Sequence, residues 1–132
     1  MVKSRDHLIR LKRFQVDERR RRVAQIESMI ADFARMVVDL DREIASEEQK
    51  SGISDPAHYA YPTFARAAVA RRDNLKRSSD ELKDQLEEAR SLFGDAQDEL
   101  KKVESLDGRD KMPGLDAARS DRDMGMARLA RA

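Results

Sequence analysis

VAQIESMIADFARMVVDLDREI, residues 23–44, sets apolar side chains at Val23, Ile26, Ile30, Phe33, Val37, Leu40 and Ile44. Steps of three and four in alternation are the a/d pattern of a helix with a narrow apolar seam, which another helix must cover. Seven-residue steps carry the same column back through Val16 to Ile9. Neither Gly nor Pro occurs between Ser4 and Lys50. This predicts one helix over about 4–50, roughly 70 Å long, with Ser4 as its N-cap. Asp17/Arg21 and Glu18/Arg22 add i,i+4 pairs in the favourable order.

The cover is found further along the chain. Gly52 is a helix stop, and residues 51–63 carry Pro56 and Pro62. Ser54 or Asp55 is placed to cap a single helical turn there, and Thr63 to cap the next long helix. That helix, about 64–106, has a seam of Leu75, Leu82, Leu86, Ala89, Phe93, Ala96, Leu100 and Val103. The fold class expected is all-α: a long antiparallel two-helix coiled-coil hairpin over 1–106, with a short, mobile or weakly helical C-terminal tail over 107–132. Facing residues should have numbers that total about 114, within a turn. Ile30 and Phe33 then meet Leu82 and Leu86, Val16 meets Leu100, and Ile9 meets Val103 and Leu106.

The match is uneven. Near the turn Met36, Val37, Val38, Leu40 and Ile44 face the smaller Ala65, Ala68, Arg72 and Ser79, which leaves apolar surface over. At the other end Lys12 and Arg19 take d positions, so that end is expected to be loosely zipped. Gly94 weakens the second helix, and Gly108 and Pro113-Gly114 should end it before a short helical stretch, Leu115 to Arg131. Seam side chains, at roughly 1.5 to 3 kcal/mol each, gain little beyond the entropy of ordering two helices. A partner or a second copy is expected to complete them.

Composition narrows the function. Charged residues make up 40% of the chain and apolar ones 39%, which suits long solvated helices and rules out a thick core. Net charge is +1, so no general attraction to nucleic acid exists. The absence of cysteine excludes disulfides, thiolate chemistry and cysteine-ligated zinc, and fits a reducing compartment. Residues 1–12 carry charges and no apolar core of signal-peptide length, and no run approaches the roughly 20 apolar residues of a membrane span. A cytosolic protein is expected.

Arg19, Arg20, Arg21 and Arg22 form the most conspicuous charge run. Four consecutive helical residues point four ways and no aromatics interleave them, so a solvated face with Asp95, Asp98 and Glu99 nearby outweighs nucleic-acid binding. His7 and His58 lack ligand-spaced neighbours, and paired carboxylates such as Glu47/Glu48 and Glu87/Glu88 lack a cleft. With no phosphate loop, nucleophile elbow or dinucleotide fingerprint, no enzyme, cofactor or metal site is expected. Tyr59, Tyr61 and Phe64 cluster in the turn beside Met36, Val38 and Leu40, either plugging the open end or anchoring a partner.

Three stretches resemble the FliJ-like flagellar export proteins of alphaproteobacteria: LIRLKRFQVDERR (8–20), GISDPAHYAYPT (52–63) and RRDNLKRS (71–78). The likeness spans about 3–106 and is strongest in the turn, whose Pro and Tyr placements heptads do not dictate. It implies a non-enzymatic stalk and adaptor of the flagellar type III export apparatus. In that role the end bearing the helix termini sits in the ring of a hexameric export ATPase and promotes its assembly and activity. The protein then also contacts the cytoplasmic domain of the membrane export gate and export chaperones, at the cytoplasmic face of the inner membrane. On this reading Lys12 and Arg19 to Arg22 face the ATPase, and Met36, Val38, Leu40, Tyr59, Tyr61 and Phe64 face the gate or a chaperone. A self-associating coiled-coil scaffold and, behind it, a nucleic-acid-binding helical protein are the alternatives.

Overall fold

The computed structural model describes residues 2–111, with side chains over 4–108. It contains two helices, α1 (Val2–Ser51) and α2 (Thr63–Lys111), which pack against each other, and no strand among the described residues. The helices contribute to two compact units, one from Met1–Glu18 with Gly94–Ala132 and one from Arg19–Phe93.

Both helices outrun their expected ends. Ser4 lies inside α1, which starts at Val2, and is therefore not its cap. α2 passes through Gly94 and Gly108 to Lys111, so Gly108 does not end it. A helical glycine costs about 1 kcal/mol relative to Ala, too little to break a helix whose backbone bonds continue on both sides. The expected break at Pro113-Gly114 and the helical stretch Leu115 to Arg131 lie outside the described residues.

The unit Arg19–Phe93 holds two apolar clusters. Val23, Ile26, Leu82 and Ala89 form the first, with Ile30, Phe33, Leu86 and Phe93 packed against it. Ile30 and Phe33 therefore share a cluster with Leu82 and Leu86, as the seam spacing predicts. Leu40, Ile44 and Ala68 form the second, flanked by Val69 and Leu75. Ion pairs Glu27–Arg90 (4.0 Å) and Asp41–Arg72 (3.1 Å) flank these clusters, each within a turn of the expected register. The numbers descend on α2 as they ascend on α1.

The second cluster corrects the expectation of an uncovered seam near the turn. Leu40 and Ile44 are buried, and Ala65, 0% exposed, and Ala68 are buried with them. Small residues opposite large ones let the helices close up, so the volumes match and little apolar surface is left over in the seam. Val37 is half-buried.

In the unit made from the first and last described stretches, Ile9, Val16 and Ala96 are buried, and Leu100 and Val103 half-buried. This end is not loosely zipped at Lys12. The Lys12 Nζ donates to Glu99 Oε2 at 2.9 Å, and the Lys12 side chain is only 23% exposed. Arg13 pairs with Glu104 at 3.3 Å, and Arg5 Nη1 donates to the Leu106 carbonyl at 3.5 Å.

Between the helices the chain is held by local bonds. Gly52 has φ 74°, a left-handed conformation that favours glycine, and its N–H donates to the Glu48 carbonyl at 2.9 Å. The single helical turn expected here does not form; Asp55 instead closes a non-helical turn, its Oδ1 accepting from Ala57 N–H (2.9 Å) and its carbonyl from His58 N–H (3.0 Å).

Candidate interaction surfaces

Among the described residues no group of three or more His, Cys, Asp or Glu is placed to hold a metal ion. No described helix is long and apolar enough to cross a membrane. The residues assigned to partners sort into several places.

The arginine run lies in the unit Arg19–Phe93, and all four side chains are exposed. They do not make one patch. Arg20 lies over the Phe93 ring, 5.5 Å from its centroid, and Arg22 Nη1 donates to Gln25 Oε1 at 3.0 Å. Arg19 and Arg22 border a groove of about 320 Å³, opposite Gln85 and Glu88, over a floor of Ile26, Ala89 and Leu92. Glu99 pairs with Lys12.

Lys12 holds the Glu99 carboxyl below its ordinary range, first through the hydrogen bond and then through its charge. A carboxylate with a depressed folded-state pKa adds stability above its unfolded pKa and loses it as the pH falls through the folded one. Glu99→Gln is therefore expected to lower the urea midpoint slightly at pH 7, in keeping with an exposed pair. The difference should shrink towards acid pH, where the wild-type carboxylate takes up its proton in both states. A difference that persists there in urea titrations would remove the ion pair as its cause.

The residues assigned to the gate or a chaperone also separate. Two positions apart on a helix is a 200° turn, so Met36 and Val38, both exposed, point away from each other. Met36 borders a shallow groove with Asp39, Glu43, Arg71 and Leu75. Leu40 is buried in the seam and offers no contact surface. Tyr61 is likewise withdrawn, at 4% exposed. Its hydroxyl donates to Glu48 Oε2 at 3.1 Å, and burial with that neighbouring carboxylate pushes its pKa above the ordinary value. Of the turn's aromatics, then, Tyr61 plugs. Tyr59, 94% exposed and stacked on His58 at 4.7 Å, and Phe64, 58% exposed, remain available.

Charge patterning gave no hint of the residues that tie the turn down. Arg66 donates to the carbonyls of Pro56 (2.9 Å) and His58 (3.4 Å), and its guanidinium lies 5.5 Å from the Tyr61 centroid. Arg72, expected to be a poor cover, bridges Asp41 and Asp73 at 3.1 and 3.2 Å. Leu8 (39% exposed), Leu11 (50%) and Phe14 (59%) were also passed over, because they lie off the heptad column. No protein-family model, curated protein or solved structure matches this chain.

Proposed function

We propose that the protein is a non-enzymatic stalk and adaptor of a bacterial flagellar type III export apparatus, built as an antiparallel coiled-coil hairpin. It promotes assembly and turnover of the export ATPase, links that ring to the export gate and to substrate chaperones, and works at the cytoplasmic face of the inner membrane. The observation that carries this reading is the connection over residues 52–63. Its resemblance to the FliJ-like proteins lies in residues that no heptad requires, and here Asp55 caps a turn while Tyr61 is buried against Glu48. Cross-helix pairs that descend on α2 as they ascend on α1 also support a hairpin.

The test is to mix the purified chain with the cognate export ATPase and follow phosphate release and co-elution. Stimulated hydrolysis and a stable complex are expected. No stimulation with no co-elution would overturn the proposal.

A further inference from the structure

Leu8, Leu11 and Phe14, exposed at 39%, 50% and 59%, succeed one another at intervals of three, while Ile9 and Val16 from the same turns are buried. The row therefore turns away from the seam. Arg5 and Lys12, seven apart on α1, reach the Leu106 carbonyl and Glu99, seven apart in the opposite sense on α2. Leu8 and Leu106 thus lie within about a turn of each other along the pair. Each stands one place before a seam position, which in antiparallel helices puts both on the same side of the contact. Leu106 is 54% exposed, and an open groove of about 440 Å³ runs past it along Lys101, Lys102 and Ser105.

The sequence beyond α2 has the length, the stripe and the charges to cover this face. Met112, Pro113 and Gly114 make a three-residue connection of the kind that joins antiparallel helices. At 100° per residue Leu115, Ala118, Met126 and Leu129 fall within about 80° of a helix circumference, a stripe interrupted by Arg122 alone. Leu115 to Leu129 spans about 21 Å as a helix, enough to run back past Leu106 and to come level with the whole row on α1. With Leu115 opposite Lys111, facing numbers total about 226. Asp121 and Asp123, one on each flank of the stripe, then come level with Lys101 and Lys102 on α2 and Arg10 on α1, all exposed. Arg128 and Arg131 come level with Asp98 and Asp95, also exposed. A slip of one heptad sets Arg131 against Lys102 in one direction and Asp121 against Asp98 in the other, like against like. The tether decides the occupant: a segment joined by three residues meets the face at an effective concentration near millimolar, above that of a second copy or a free partner.

We infer that residues 115–129 form a third helix that folds back along α2 and seats its apolar stripe on Leu8, Leu11, Phe14 and Leu106. The inference does not rest on the export reading. It closes, with the chain's own segment, an apolar face otherwise open to a second molecule.

Amide hydrogen exchange of the full chain, at two protein concentrations, tests it. Amides of 115–129 are expected to exchange about tenfold or more slower than unstructured chain, at the same rate at both concentrations. Leu11→Ser/Phe14→Ser should return them to the unstructured rate, while circular dichroism shows α1 and α2 intact, as exposed positions permit. Asp121→Lys/Asp123→Lys should lower the protection about threefold, and adding Arg10→Asp/Lys102→Asp should restore it. Exchange of 115–129 at the unstructured rate in the wild-type chain would overturn the inference and leave the face to another molecule. Protection that survives Leu11→Ser/Phe14→Ser would place the segment elsewhere and overturn it as well. Protection that rises with concentration, alongside a dimer in sedimentation, would give the face to a second copy and overturn it too. Failure of the reversed charges to restore protection would overturn the alignment.

Discussion

Ile26→Ala is expected to cost about 3 kcal/mol of stability, read as a lower urea midpoint with an unchanged slope. Ile26 is 1% exposed and sits in the cluster of Val23, Leu82 and Ala89. Removing three carbons there forfeits their transfer from water and leaves a cavity that two long helices cannot collapse without losing neighbouring contacts. Met29, one turn on, is 38% exposed and provides the control. Met29→Ala should stay within about 0.5 kcal/mol of the wild type, as surface substitutions do. Equal losses at the two positions would mean that the seam is not where the burial lies.

Ala68→Leu carries the opposite test, in which filling rather than emptying is harmful. Ala68 packs with Leu40 and Ile44 and is buried. If small residues on α2 left a gap over the α1 seam, a larger side chain would fill it and stabilise the fold. Because Ala65 and Ala68 are themselves covered, the added carbons must instead push the helices apart, at a cost of about 1 to 3 kcal/mol. The sign of the change in melting temperature decides between a filled seam and an open one.

These two positions also show what the sequence made legible and what it did not. The seam of residues 23–44 could be read because a heptad is a one-dimensional pattern, and Val23, Ile26, Leu40 and Ile44 are all buried. Helix ends were read less well. Ser4 and Gly108 are local signals, and the continuing backbone bonds of a long helix outweigh them. Volume matching was not legible either. The spacing showed that Ala65 and Ala68 face Leu40 and Ile44, but the helices settle their separation only when packed, so smallness was mistaken for a gap.

The candidate surfaces were harder still. A run of four arginines is conspicuous as a string, yet consecutive residues of a helix diverge by 100° and meet different neighbours. Tyr61 and Tyr59 are two residues apart in one turn. Only the fold puts the first against Glu48 and leaves the second in solvent. Leu8, Leu11 and Phe14 are legible as apolar residues that the heptad column leaves out.

The described residues bury no polar or charged side chain. In many paired helices a buried polar side chain fixes alignment, since a slip of one heptad would leave it unsatisfied. Here the seam of Arg19–Phe93 lacks such a key, and Ala68 against Leu40 and Ile44 supplies one of shape instead. Polar ties lie outside the seam, where Tyr61 is bonded to Glu48 and Arg66 to the carbonyls of Pro56 and His58. These ties fasten the connection between Ser51 and Thr63 to the ends of both helices, and apolar exchanges along the seam leave them intact.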